Sequence, residues 1–395
     1  MTRLLALAPL AVILGLVGCG GSSLDTSSGT TTMPPPTGSN VTAITVDAGP
    51  AAAPGDINMP FVSVTVCAPG STTNCQTIDH VELDTGSYGL RILSSALDSS
   101  LALPQENTDT GGAVLECTQF ADGFSWGPVK TADIQITGEA ASSVPVQIIG
   151  DPAFPGVPNT CSSSGPAEDT VATFGANGIL GVGPFVEDAG LYYTCTSGIC
   201  TELSTLDLNL QVSNPVAFFA ADNNGVIVQM PSVGTGGSGT LSGSLIFGIG
   251  TQSNNGLGSS TIYAVDPNSG VFSVTYKNQA FDYSFLDTGS TANYFVDSSI
   301  PTCSSNSFYC PSSTLSLSAS VTGVNTASNS VDFSVANAEN LFNGDPTAVA
   351  FANLGASNSM SDSFDFGMPF FFGRSVYVAI SGQTTPGGTG PYFAF

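Results

Sequence analysis

Basic residues are nearly missing from this 395-residue chain: five Lys and Arg stand against thirty Asp and Glu, for a formal charge of −25, and there is one His. Such a chain repels phosphate backbones instead of releasing counterions from them, so nucleic acid is excluded as a partner. A single His and the lack of any Cys-x-x-Cys leave no ligand set for zinc, so neither metal nor cofactor is expected. With that one His, His80, a Ser-His-Asp triad would have to recruit it across the fold, and a loop or strand-entry residue is the better reading. Charged residues make up only 9% of the chain, too few for long surface helices laced with Glu-Lys pairs. No Gly-x-Gly-x-x-Gly follows a strand; "GIGTQSNNGLG" reads as a turn. What remains is rich in Gly, Ser, Thr, Val and Phe, the composition of many short strands joined by tight turns. The fold class is mainly β.

The one long apolar stretch opens the chain. Arg3 precedes Leu4 to Leu16, too short for a comfortable membrane span, and Leu16-Val17-Gly18-Cys19 closes it. That ending resembles the lipobox of bacterial lipoproteins. The resemblance implies a signal peptide over 1–18, lipidation of Cys19, and, with Gly20 following, sorting to the outer membrane of a bacterial cell envelope. Residues 19–42 are Gly, Ser, Thr and Pro with few apolar side chains, and read as a flexible tether.

Export makes the remaining eight cysteines interpretable as an even, disulfide-forming set. "CAPGSTTNC", "CTSGIC" and "CSSNSFYC" predict local bridges Cys67–Cys75, Cys195–Cys200 and Cys303–Cys310, which leaves Cys117–Cys161 as the fourth.

Strand-like runs recur along the mature chain, among them "MPFVSVTV", "KTADIQI", "GSLIFGIG", "VDFSVAN" and "SVYVAI", while short helices are expected only at Ser94–Leu103 and Ser204–Val212. Two such runs end alike: "HVELDTGSYGLRIL" at His80–Leu93 and "YSFLDTGSTANYF" at Tyr283–Phe295. A lone Asp-Thr-Gly-Ser in a Gly/Ser-rich protein is usually a turn. Two copies, a lobe's length apart and each after an apolar strand, suit a different task. Two carboxyls that share one proton can hold a water between them, one taking its proton while the other protonates a carbonyl oxygen. At that range both cannot ionise, so the pair titrates as a unit.

At this point the chain resembles the bilobal, pepsin-like aspartic protease family. "ELDTGSYGLRIL" matches the strand-turn-strand around its first catalytic Asp, "NGILGVGPF" the element behind it, "FLDTGST" the second catalytic loop, and "FDFGMPFFFGRSVYVAI" the closing segment. The resemblance spans roughly residues 57 to 380 in the family's order. It implies an N-terminal lobe over 43–213, a C-terminal lobe over 214–395 and an active site in the cleft between them. Asp84 and Asp287 would be the catalytic pair. Gly86 and Gly289 would supply N–H groups, Thr85 and Thr288 would tie the loops together, and Ser87 and Ser290 would bond the outer oxygens. Both serines favour the ionised form, so an acidic optimum is expected.

Several positions depart from the family. Glu82 stands where an apolar residue is usual, Arg91 where Trp is, and Met368 where Asp is. The flap hairpin falls within Cys117–Ile136, with Phe120 near the expected Tyr and with Asp122 and Gly123 at the turn, where positive φ is expected of Gly123. The implied function is an exported, membrane-anchored aspartic endopeptidase, a monomer acting on an extended peptide or protein substrate. The alternative is an inactive pepsin-like lipoprotein that binds peptides or serves as a structural surface protein, since fold alone does not establish turnover.

Overall fold

A computed structural model describes residues 36–395, apart from 189 and 305, and these belong to one compact unit. The expected signal segment, Cys19 and the tether up to residue 35 lie outside the described residues. The chain is mainly β: 24 strands and only short helical segments occur among the described residues. The helices expected at Ser94–Leu103 and Ser204–Val212 are single 3-10 turns, Ser94–Ala96 and Leu208–Leu210. Neither carries a side-chain cap, and neither is long enough to repay helix nucleation.

The strands follow from period-two burial. Pro60–Cys67 buries Val62, Val64 and Val66 while Ser63 faces out, and its partner Cys75–Asp84 buries Ile78, Val81 and Leu83. His80 has φ of 46° in a bulge of that partner strand, and its Nε2 lies 3.4 Å from Asp47. Tight hairpins close where two residues take positive φ in succession, Ser197–Gly198 and Lys277–Asn278, the backbone that matches strand twist.

Two large sheets result, of fifteen and seven strands. The larger crosses the expected 213/214 boundary: Val41–Val46 pairs antiparallel with Leu241–Phe247, and the C-terminal strand Tyr392–Ala394 closes onto Ser375–Ala379. Paired strand also reaches into the expected tether. Asn40 is fully buried and donates to the Phe247 carbonyl at 2.8 Å, and Val41 already lies in a strand.

Within each sheet the same local arrangement occurs. Cys75–Asp84 runs parallel to Gly178–Val182, which is antiparallel to Tyr88–Leu93. Gln279–Leu286 runs parallel to Asp365–Phe366, which is antiparallel to Asn293–Phe295. Each Asp-Thr-Gly loop thus leaves a strand that is braced by a second strand on the far side of the loop. Phenylalanines fill the core behind the second loop, where Phe295 and Phe364 stack with centroids 4.7 Å apart.

All four disulfides are formed as the spacing predicts: Cys67–Cys75, Cys117–Cys161, Cys195–Cys200 and Cys303–Cys310. They indicate an oxidising, extracytoplasmic environment. No helix among the described residues is long and apolar enough to cross a membrane.

Candidate active site

The two Asp-Thr-Gly loops meet. Thr85 N–H donates to Thr288 Oγ1 and Thr288 N–H to Thr85 Oγ1, both at 3.0 Å, while the hydroxyls donate onward to the carbonyls of Leu286 and Leu83 at 3.1 and 2.6 Å. Each threonine is buried, so these reciprocal bonds fix one loop against the other without competition from water. Gly86 N–H donates to Asp84 Oδ1 at 2.7 Å and Gly289 N–H to Asp287 Oδ1 at 2.8 Å. A Cβ on Gly86 would lie 2.7 Å from Asp287 Cγ and force the pair apart, and one on Gly289 would lie a tight 3.2 Å from both aspartates.

The symmetry stops at the serines. Ser290 Oγ lies 3.0 Å from Asp287 Oδ2, as expected, but Ser87 Oγ is buried with no partner and does not bond Asp84. What Ser290 adds instead is a second contact, 2.6 Å from Asp365 Oδ2. Burial first, then the charges of Asp84 and Asp365, push the Asp287 carboxyl well above the usual carboxylate range.

Two further carboxyls close in on the pair. Glu82, two residues before Asp84 and so on the same face of its strand, brings Oε1 within 3.2 Å of the point that is also 3.2 Å from Asp84 Oδ1 and Asp287 Oδ1. Burial raises it far, and the carboxylates of Asp84, Asp122, Glu168 and Asp56 raise it further. Asp365 is pushed up to about 8 by burial, against the Ser290 hydrogen bond that lowers it, with Asp84 adding to the rise. Glu82 is conspicuous in the sequence only as a charge in an apolar strand, and Asp365 only as a charge inside "SFDFGM".

A pocket of about 420 Å³ opens on the pair, walled by Tyr88, Arg91, Phe120 and Asp188. Phe120 and Ala121 reach it from the hairpin Ala113–Gln119/Phe124–Ile136, whose turn closes with Phe120 N–H donating to the Gly123 carbonyl at 2.8 Å. Gly123 does not take the expected positive φ. It is needed for a different reason: a Cβ there would lie 2.6 Å from Glu168 Oε1 and 2.7 Å from the Pro166 carbonyl. Asp122 at the turn hydrogen-bonds Glu168, which burial and that contact raise to about 8. Met368, expected as a mere departure, is fully buried and its N–H donates to the Ser290 carbonyl at 2.8 Å.

Arg91 gives the pocket a buried ionic wall. Its Nη2 lies 2.6 Å from both Glu116 Oε1 and Asp188 Oδ2, Nε donates to Thr118 Oγ1 at 2.7 Å, and Nη1 donates to the Tyr88 carbonyl at 2.7 Å. A second, larger hollow of about 610 Å³ lies by Phe370 and Arg374, and Asp332 is its one carboxylate, so it offers no acid–base pair.

A family description, "Protein of unknown function (DUF3443)", matches residues 36–395. The chain belongs to that family. No curated protein matches it. In this DUF3443 chain the matched segment covers every residue of the site, from Glu82 to Asp365.

So many raised carboxyls fix how stability depends on pH. Unfolded, these groups ionise near pH 4; folded, burial holds Asp56 to about 6 and Glu168 and Asp365 to about 8. The folded chain therefore binds more protons between about pH 4 and 8, and stability falls as pH rises through that window. Asp297 acts the other way: burial raises it, but Lys277, Ser299 and Tyr276 outweigh this and hold it at about 2, so its contribution is lost only as pH falls below the unfolded value. Melting followed by circular dichroism should be highest near pH 4–5 and drop towards pH 8, with Asp365 and Glu168 the largest contributors to the fall. A melting temperature that rises from pH 5 to pH 8 would contradict these burials.

Proposed function

We propose that this chain is an aspartic endopeptidase of pepsin-like, bilobal architecture, with lobes over 43–213 and 214–395 and the Asp84–Asp287 pair in the cleft between them. The observation that carries the reading is the reciprocal Thr85–Thr288 bonding, which sets two carboxyls face to face on matching strand ends. In the reaction, one carboxylate takes a proton from a water held between the pair, and the other donates its proton to the scissile carbonyl oxygen. The hydroxyl of Ser290 steadies Asp287 from outside. No cofactor takes part. An extended peptide lies in the pocket under Phe120, and a lipid on Cys19 holds the enzyme in a bacterial envelope.

The test is the purified chain scanned against a diverse peptide library from pH 3 to 8, with a hydroxyl-bearing transition-state mimic as inhibitor. Cleavage that the mimic blocks is the expected result; absence of cleavage at every pH would end the enzymatic reading. A second reading, a peptide-binding protein without turnover, is favoured by Ser87 Oγ lacking a partner and by Phe120 lacking a hydroxyl.

The hairpin gives a separate handle. Phe120 packs edge-on against Phe174, centroids 6.0 Å apart, so it closes over substrate by apolar contact alone. Phe120→Tyr should keep or raise cleavage, Phe120→Ala should lower kcat/KM by about tenfold through lost positioning, and Gly123→Val should do at least as much by colliding with Glu168. Rates on one library substrate measure all three. Unchanged rates in both Phe120→Ala and Gly123→Val would mean the hairpin does not cover the substrate.

A further inference from the structure

The Ser290 hydroxyl stands between two carboxylic groups, 3.0 Å from Asp287 Oδ2 and 2.6 Å from Asp365 Oδ2. A serine has one O–H hydrogen and cannot donate it to both. One of the two contacts must therefore be donated by a carboxyl proton. Asp365 is the group that carries it. Its Oδ1 is buried with no hydrogen-bond partner, whereas Asp287 Oδ1 accepts the Gly289 N–H. An ionised Asp365 would leave an unsolvated oxygen in the protein interior; a neutral one leaves only a weak acceptor there. The titratable groups facing Asp365 are Asp84 and Asp287 from the two loops and Tyr294 from the strand paired with it, so no cation among them offsets its charge.

We propose that Asp365 is a positioning residue that works as a switch through Ser290: neutral, it donates to Ser290 and leaves the serine hydrogen on Asp287; ionised, it takes that hydrogen and strips Asp287 of its outer donor. The proton balance is simple. In the first state the order is Asp365 O–H to Ser290 Oγ, then Ser290 O–H to Asp287 Oδ2. Loss of the Asp365 proton to solvent turns the serine hydroxyl round, because the nearer, newly charged oxygen is the stronger acceptor. The reach of about 8 at which burial holds Asp365 puts this reversal on the alkaline side of neutrality, above the acidic optimum expected of the reaction. Its catalytic consequence rests on the reading of Asp84 and Asp287 as a proton-sharing pair; the hydroxyl reversal itself does not.

Two measurements on the full-length chain test it. First, with ¹³C-labelled aspartate, the Asp287 carboxyl carbon is followed by NMR from pH 4 to 10. A step is expected at the pH where Asp365 titrates, absent in Asp365→Asn, whose amide stays a neutral donor, and absent in Ser290→Ala. Second, the pH profile of kcat/KM on a library substrate should show its alkaline limb moved up by about one unit or more in Asp365→Asn, and no such movement when Asp365→Asn is made in a Ser290→Ala background. Asp287 gives a step of its own as it ionises; a further step at the pH where Asp365 titrates that persists in both variants, or an alkaline limb unmoved by Asp365→Asn, would overturn the switch. If no peptide is cleaved while the step appears and vanishes as described, the switch stands and the endopeptidase reading fails.

Discussion

Replacing Asp287 by Asn is expected to cut peptide cleavage by about 10⁴-fold or more while making the folded chain melt higher at neutral pH. The two effects have one cause seen from two sides. Asp287 is raised by burial and by the charges of Asp84 and Asp365, so the fold tolerates its ionised form poorly. An amide of the same shape keeps the Gly289 and Ser290 contacts available and removes the repulsion, which stabilises the folded state wherever the carboxyl would ionise. The same amide cannot exchange a proton with water or with a carbonyl oxygen. Asp84→Asn should lose cleavage equally, and the double variant should be no worse than either single one, because a pair that shares one proton acts as a unit. Initial rates on one substrate and a melting curve at pH 7.5 for all three variants measure this. Undiminished cleavage in Asp287→Asn would rule out the two-carboxyl mechanism.

How much of this was legible beforehand depends on the range of the contact. The short disulfides were, since Cys67 and Cys75 face each other across one hairpin and so do Cys195 and Cys200. The pairing of Asp84 with Asp287 was legible because the motif is repeated, and a repeated loop meets its twin wherever the halves fold alike. Ser87 misleads for the same reason: a repeated letter suggests a repeated bond, yet of the two serines only Ser290 bonds its aspartate. Local turn chemistry predicts positive φ at Gly123, whereas the need for glycine comes from Glu168, 45 positions later and brought close only by tertiary packing. Asp365 gave almost no signal, because what makes it matter is a parallel pairing with Gln279–Leu286 across some eighty residues.

Arg91 carries the second large effect. In the sequence it reads as a lost aromatic; in the fold it is, among the described residues, the one cation paired with two buried carboxylates, exposed by only 1%, with Glu116 at 0%. Burial alone would make Arg91 easier to deprotonate, but Glu116 and Asp188 outweigh that and hold the charge in place. Replacing it with Met keeps the bulk and leaves those carboxylates without a counter-charge, so Arg91→Met should destabilise the fold by about 3–5 kcal/mol at pH 7.5. Arg91→Lys should recover little, since a point charge cannot reach Glu116, Asp188, Thr118 and the Tyr88 carbonyl from one planar fork. The penalty has a definite sign with pH. Burial already raises Glu116 well above the usual range, so on acidification it is among the first of these groups to take up a proton, and the loss caused by Arg91→Met should shrink as pH falls towards 4. Adding Glu116→Gln and Asp188→Asn to Arg91→Met should likewise restore much of the stability by removing the unpaired charge. Urea unfolding at pH 7.5 and pH 4.5 for the single and triple variants decides it. Equal destabilisation at both pH values, with no recovery in the triple variant, would mean that Arg91 holds the pocket wall by packing alone and that its charge is incidental.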